Sequence, residues 1–150
     1  MSVVLLDASV VIALVIPEEV SEQAVALVHD AAFSHRRLVC PPHLRYEVLT
    51  AIDNRTRLTD KAQRLSAKEA NDAINVFLMF GISMVNSTAL HRRAWELVQK
   101  RRVPTVSIGL YLALADLLQS PVWTADHRLL QVRDAGHPLV QWIGDYTRAA

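Results

Sequence analysis

Val3-Val4-Leu5-Leu6 is an unbroken apolar run that stops at a carboxylate, Asp7. A run without polar alternation predicts a strand buried on both faces, as in a parallel sheet. Ser9 is placed to cap a short helix over Val10–Leu14. Pro17 can open the next helix, with Glu18 and Glu19 in a first turn that favours negative charge. Val20, Ala24, Leu27 and Val28 then recur at helical spacing. Leu38-Val39-Cys40 reads as a short strand, stopped by Pro41-Pro42. Leu44, Val48, Ala51 and Ile52 mark one face of a helix, and a second helix is expected from Thr59 to Phe80, before Gly81. Ile82–Val85 predicts another strand. Ser87 or Thr88 caps a helix carrying Ala94, Trp95, Leu97 and Val98, and Pro104 ends it. Ile108–Leu118 is apolar almost all round, which predicts a buried helix. Pro121-Val122-Trp123 is a further strand, closed by Thr124-Ala125-Asp126, and Leu139–Trp142 a last one.

Strands alternating with helices imply an α/β fold with a central, mostly parallel sheet. The 150 residues suit one domain, and no repeat, low-complexity stretch or linker divides them. In such sheets ligands gather beyond the carboxyl ends of the strands. Asp7 and Asp126 both stand there. Each can also be a turn or helix-cap residue. Glu47 adds weight to the first view, because it shares a helical face with Leu44, Val48 and Ala51. A carboxylate on an apolar face is costly unless it is paired, protonated, metal-bound or able to reach water. Three carboxylates at one end of a sheet repel one another. Mg²⁺ or Mn²⁺, which prefer oxygen ligands, relieve that repulsion. Two such ions about 3.5–4 Å apart can activate water and stabilise the leaving oxygen in phosphodiester cleavage.

Composition narrows the classes. Apolar residues make up 51% and charged residues 21%, so the chain is globular. A net charge of +1 argues against bulk coating of nucleic acid and leaves local basic patches open. The single cysteine, Cys40, cannot form an internal disulfide, which fits a reducing, cytoplasmic setting. No signal peptide or membrane span is expected. With four glycines and no Gly-x-Gly-x-x-Gly, Walker or Gly-x-Ser-x-Gly pattern, nucleotide-cradling loops and serine-elbow hydrolases are disfavoured. Asp7-Ala8-Ser9 also lacks the second aspartate of a phosphatase-type Asp-x-Asp pair.

Four segments together resemble PIN-domain proteins, VapC toxins in particular: Leu5-Leu6-Asp7-Ala8-Ser9-Val10-Val11, Tyr46-Glu47-Val48, Leu110-Tyr111-Leu112-Ala113-Leu114-Ala115 and Thr124-Ala125-Asp126-His127-Arg128-Leu129. Each is weak alone, but their order and spacing span nearly the whole chain. The resemblance implies a three-layer α/β/α sandwich and a Mg²⁺- or Mn²⁺-dependent endoribonuclease, held inactive by a cognate VapB-like antitoxin. It implies Asp7, Glu47 and Asp126 as catalytic metal ligands, with Ser9 and Thr124 in support.

The family's remaining acid should precede the Leu110–Ala115 run by two residues, and Ile108 stands there. Asp116 is a poor substitute: eight residues along a helix is about 12 Å of rise and about 80° of rotation. Ser107 is nearer but neutral. Three carboxylates cannot balance two divalent ions, so one ion is expected in place of two. Two readings follow: a metal-dependent endoribonuclease, or an impaired PIN-like domain that binds RNA or protein without cleaving.

For RNA, Arg128 is the best-placed phosphate contact. Arg36-Arg37, Arg45, Arg55, Arg57, Arg92-Arg93, Lys100-Arg101-Arg102 and Arg133 are further basic positions, most of them expected on a solvated surface. Trp95, Trp123 and Trp142 can stack on bases, but each sits in an apolar pattern that predicts core. The six histidines show no metal-ligand spacing, although His127 adjoins the presumed site. The region around residues 59–80 offers a face for an antitoxin or a homodimer partner.

Overall fold

A computed structural model describes residues 2–100, 103–137 and 139–148. In chain order the elements are β1 (Val3–Leu6), α1 (Ala8–Val15), α2 (Ser21–Phe33), β2 (Arg37–Cys40), α3 (Leu44–Thr56), α4 (Ala67–Met79), β3 (Ser83–Met84), α5 (Thr88–Lys100), α6 (Val106–Leu118), β4 (Val122–Thr124), α7 (His127–Asp134) and β5 (Val140–Trp142), then a 3-10 turn at Ile143–Asp145. The five strands form one sheet in the order β3-β2-β1-β4-β5, and every pairing is parallel. Helices α1 to α4 pack on one another, α5 pairs with α6, and α7 lies by β5. This is the expected three-layer α/β/α sandwich.

The apolar runs explain the sheet. Val4, Leu5 and Leu6 are buried, as are Val39, Cys40 and Val122 on the flanking strands. Burial on both faces requires helices above and below, which the crossovers of a parallel sheet supply. The α5–α6 contact is close because α6 carries Gly109. A Cβ at that position would stand 3.0 Å from Val98 Cγ2 and 3.2 Å from the Ala94 carbonyl oxygen.

β1 is flanked by β2 on one side and β4 on the other. The chain therefore reverses its direction of winding between β1 and β4, and a crevice opens at such a switch point. The Asp7 amide donates to the Trp123 carbonyl at 3.2 Å, which ties the ends of these two strands together.

Several expected boundaries move. Asp7, not Ser9, caps α1: its carboxylate accepts from the Val10 amide at 3.2 Å, and α1 starts at Ala8. Pro17-Glu18-Glu19 precede α2 instead of opening it. The Glu18 amide donates to Ser21 Oγ at 2.8 Å, and its carboxylate pairs with Arg55. The helix expected from Thr59 begins only at Ala67, behind a reciprocal capping box of Ser66 and Glu69. Residues 59–65 offer a single apolar anchor, Leu65, whose amide donates to the Arg55 carbonyl at 3.1 Å. Ser87 caps α5, donating no helix residue of its own but accepting from the Leu90 amide at 3.1 Å. Trp95 is not core: it is 58% exposed.

Candidate active site

Asp7 is 3% exposed, yet three donors meet its carboxylate. Oδ1 accepts from Ser9 Oγ at 2.5 Å and from the Val10 amide; Oδ2 accepts from Thr124 Oγ1 at 2.6 Å. Both hydroxyls also accept. Ser9 takes the Ala125 amide at 2.7 Å, and Thr124 takes the Asp126 amide at 2.8 Å. The two hydroxyls thus lock the loop after β4 onto the end of β1. Burial pushes the Asp7 carboxyl up to about 7, aided by the Asp126 charge, although the bonds from Ser9, Thr124 and Val10 work against the rise. Burial outweighs every group that favours the charged form of this carboxyl.

Glu47 points from α3 toward α6. Its Oε1 accepts from Ser107 Oγ and its Oε2 from the Tyr111 hydroxyl at 2.6 Å. Ser107 and Tyr111 are four residues apart, so they share a helical face. His43, one turn before Glu47, places Nε2 3.1 Å from Ser107 Oγ. Because the Ser107 proton goes to Glu47, His43 Nε2 must donate. That fixes the tautomer, and Nδ1 is left buried and unbonded. Burial holds the His43 ring below its usual range, outweighing the Glu47 charge. Burial, then the charges of Asp7 and Glu47, hold the Tyr111 hydroxyl well above its usual range, so it stays a donor.

Asp126 caps α7 and accepts from the Arg128 amide at 2.8 Å. The Arg128 guanidinium closes on the same carboxylate, with Nη2 2.7 Å and Nε 3.1 Å from Oδ2. Burial works to raise the Asp126 carboxyl, but these bonds and the Arg128 charge hold it below its usual range.

One cavity of about 270 Å³ gathers these groups: Asp7, Ser9, Glu47, Ser107, Ile108, Tyr111, Asp126 and Arg128 all line it. The three carboxylates expected from sequence therefore converge on one pocket. Both bland readings also hold, since Asp7 and Asp126 are helix caps. Ile108 lies against the same pocket, 2% exposed, so an apolar side chain stands where the resemblance implies a fourth acid. Asp116 is turned away, paired with Arg93 at 2.7 Å.

Among the described residues no three His, Cys, Asp or Glu side chains stand close enough to form a ready metal-binding group. Each carboxylate is instead held by its own donors. Of the other basic residues singled out from sequence, none lines this pocket, and Arg101 and Arg102 lie outside the described residues. Ser107, Tyr111 and His43 were not expected as partners of Glu47. The four-residue spacings His43–Glu47 and Ser107–Tyr111 were visible, but only the fold brings the two pairs face to face. Cys40 is buried, and burial pushes its thiol up to about 11.

A family model described as PIN domain matches residues 4–135. No curated protein matches the chain.

Proposed function

The chain belongs to the PIN domain family, whose members are generally nucleases, and from that premise we propose that it is a divalent-metal-dependent endoribonuclease, the toxin of a VapC-type toxin–antitoxin pair. The observation that carries this reading is the convergence of Asp7, Glu47 and Asp126 on one pocket with Arg128 beside them.

PIN domains are typically divalent-metal dependent. The donor set here is all oxygen, which suits Mg²⁺ or Mn²⁺. Asp7, a buried carboxyl at the carboxyl end of β1, is the natural anchor, and Glu47 and Asp126 would complete the set. Three carboxylates and one guanidinium match one divalent ion better than two. A bound ion supplies charge neutralisation at the scissile phosphate and acidifies water.

The chain's own residues supply the rest. Ser9 and Thr124 fix the direction of both Asp7 oxygens. Ser107 and Tyr111 do the same for Glu47. Arg128 is 64% exposed at the pocket mouth and can pair with an RNA phosphate. Exposed apolar side chains on α3 and α4 (Tyr46, Leu49, Val76 and Met79) support a protein partner, a VapB-like antitoxin or a second copy. No helix among the described residues is long and apolar enough to cross a membrane.

A second reading rests on Ile108. With the fourth acid gone, the same pocket can serve a module that binds RNA or protein without cleaving it. Incubation of the protein with single-stranded and structured RNA and Mn²⁺ separates the two. Cleavage that disappears in Asp7→Asn supports the nuclease. Cleavage seen only after Ile108→Asp overturns it in favour of the binding module.

A further inference from the structure

The residue after Asp126 is His127, and its ring is exposed at the start of α7. It lies stacked on the Trp142 indole, with centroids 4.9 Å apart and planes 28° from parallel. Trp142 ends the edge strand β5, directly opposite Thr124 in the β4–β5 register. Thr124 in turn bonds Asp7. A two-ring platform is thus built one residue away from the pocket carboxylates. Trp142 also borders a cavity of about 310 Å³ with Trp123, Arg133, Gln141 and Asp145. That wall combines two indoles, the Gln141 amide, a guanidinium and the Asp145 carboxylate. Trp142 lies beyond residues 4–135, which the family model matches.

Trp142 is half-buried and stands outside the hydrophobic core, and an exposed imidazole lies flat upon it. Aromatic faces beside a phosphate-handling pocket are the means by which single-stranded nucleic acid is held, because every base offers a π-face. One nucleotide step spans a distance similar to that from one residue to the next but one, so a base adjoining a phosphate near Arg128 falls within reach of His127.

We propose that His127 and Trp142 form a nucleobase subsite, on which an unpaired base next to the scissile phosphate stacks. The subsite rests on the ribonuclease reading above. It makes the enzyme select RNA whose base at that position is free to leave its helix.

The test uses full-length Asp7→Asn protein and a single-stranded RNA octamer, followed by fluorescence anisotropy and by tryptophan emission. The octamer quenches tryptophan emission, and the same sequence in a duplex does not. His127→Ala added to Asp7→Asn weakens the octamer by at least about fivefold, and His127→Phe restores it. Trp142→Phe removes the quench while retaining most of the affinity. His127→Ala binding as tightly as its parent, with the Asp7-containing protein still cleaving RNA, overturns the subsite alone. Absence of both binding and cleavage overturns the nuclease reading and the subsite with it.

Discussion

The Tyr111 hydroxyl donates to Glu47 Oε2 at 2.6 Å, joining α6 to α3 along the wall of the pocket. Ser107 grips the other oxygen from the same face of α6. Two neutral donors on one helix thus hold the Glu47 carboxylate from both sides.

Tyr111→Phe tests that grip. It removes the donor and leaves a half-buried carboxylate oxygen without its partner. The expected loss is about 1–2 kcal/mol, near the lower range for bonds to charged groups because Glu47 retains some access to water. Urea unfolding of the metal-free protein measures it. The Mn²⁺ affinity should fall as well, since Glu47 is then free to turn. Unchanged stability and unchanged Mn²⁺ binding would show that the bond positions nothing.

Asp7 gives the metal-free protein a pH dependence of known sign. Its folded value, about 7, lies above its ordinary value of 3.8. Between these values the folded state holds a proton that the unfolded state has lost, so stability falls as pH rises through the window. The protein in EDTA should therefore be more stable at pH 5 than at pH 8, with about 2–4 kcal/mol of the difference due to Asp7. Asp7→Asn removes that slope and stabilises the fold at pH 8. A divalent ion at pH 8 should raise the melting temperature of the parent and not of Asp7→Asn. A flat profile from pH 4 to pH 8 in the parent would contradict the burial of a titrating carboxyl.

Much of this site is readable from sequence because of how parallel sheets are made. A strand buried on both faces leaves an uninterrupted apolar run, and the first polar residue after it marks the carboxyl end. That rule finds Asp7 after Val3–Leu6 and the Thr124-Ala125-Asp126 turn after Val122-Trp123. Glu47 is found by its conflict with the apolar positions beside it. The grip of Ser107 and Tyr111 on Glu47 is not readable in this way, because 60 and 64 residues separate the partners and nothing local announces the contact. The late start of α4 was readable: Ser66 and Glu69 have capping-box spacing, and the polar run before them carries no helical face. Trp95 shows the opposite failure. It follows Ala94 directly, and one residue turns about 100° around a helix, so Trp95 points away from the face on which Leu90 and Ala94 are buried.

Ile108→Asp places a carboxylate where the resemblance implies one. The site is in the first turn of α6, where a negative charge is favoured by the helix dipole. Against that, Ile108 is buried, so the exchange should cost about 2–5 kcal/mol in the metal-free protein. Mn²⁺ should recover much of the cost, and titration calorimetry should change from one ion to two. One ion in both proteins, at equal affinity, would show that position 108 does not face the metal.

Arg128 and Asp126 set the last expectation. The guanidinium occupies the face of Asp126 that a cation would otherwise use, at 2.7 Å. With the guanidinium 64% exposed, the pair contributes little to stability. It matters more as competition: Asp126 can turn to a metal only when Arg128 lets go, and an RNA phosphate is the partner that can draw Arg128 away. Arg128→Gln should therefore change two quantities in opposite directions. Mn²⁺ binding in the absence of RNA should become several-fold tighter, measured by paramagnetic resonance of free Mn²⁺. RNA binding should weaken, and the slope of log affinity against log salt should fall by about 1, as for the loss of one phosphate contact. Weaker Mn²⁺ binding in Arg128→Gln would mean that the arginine shapes the site instead of competing for it. An unchanged salt slope would remove Arg128 from the RNA path.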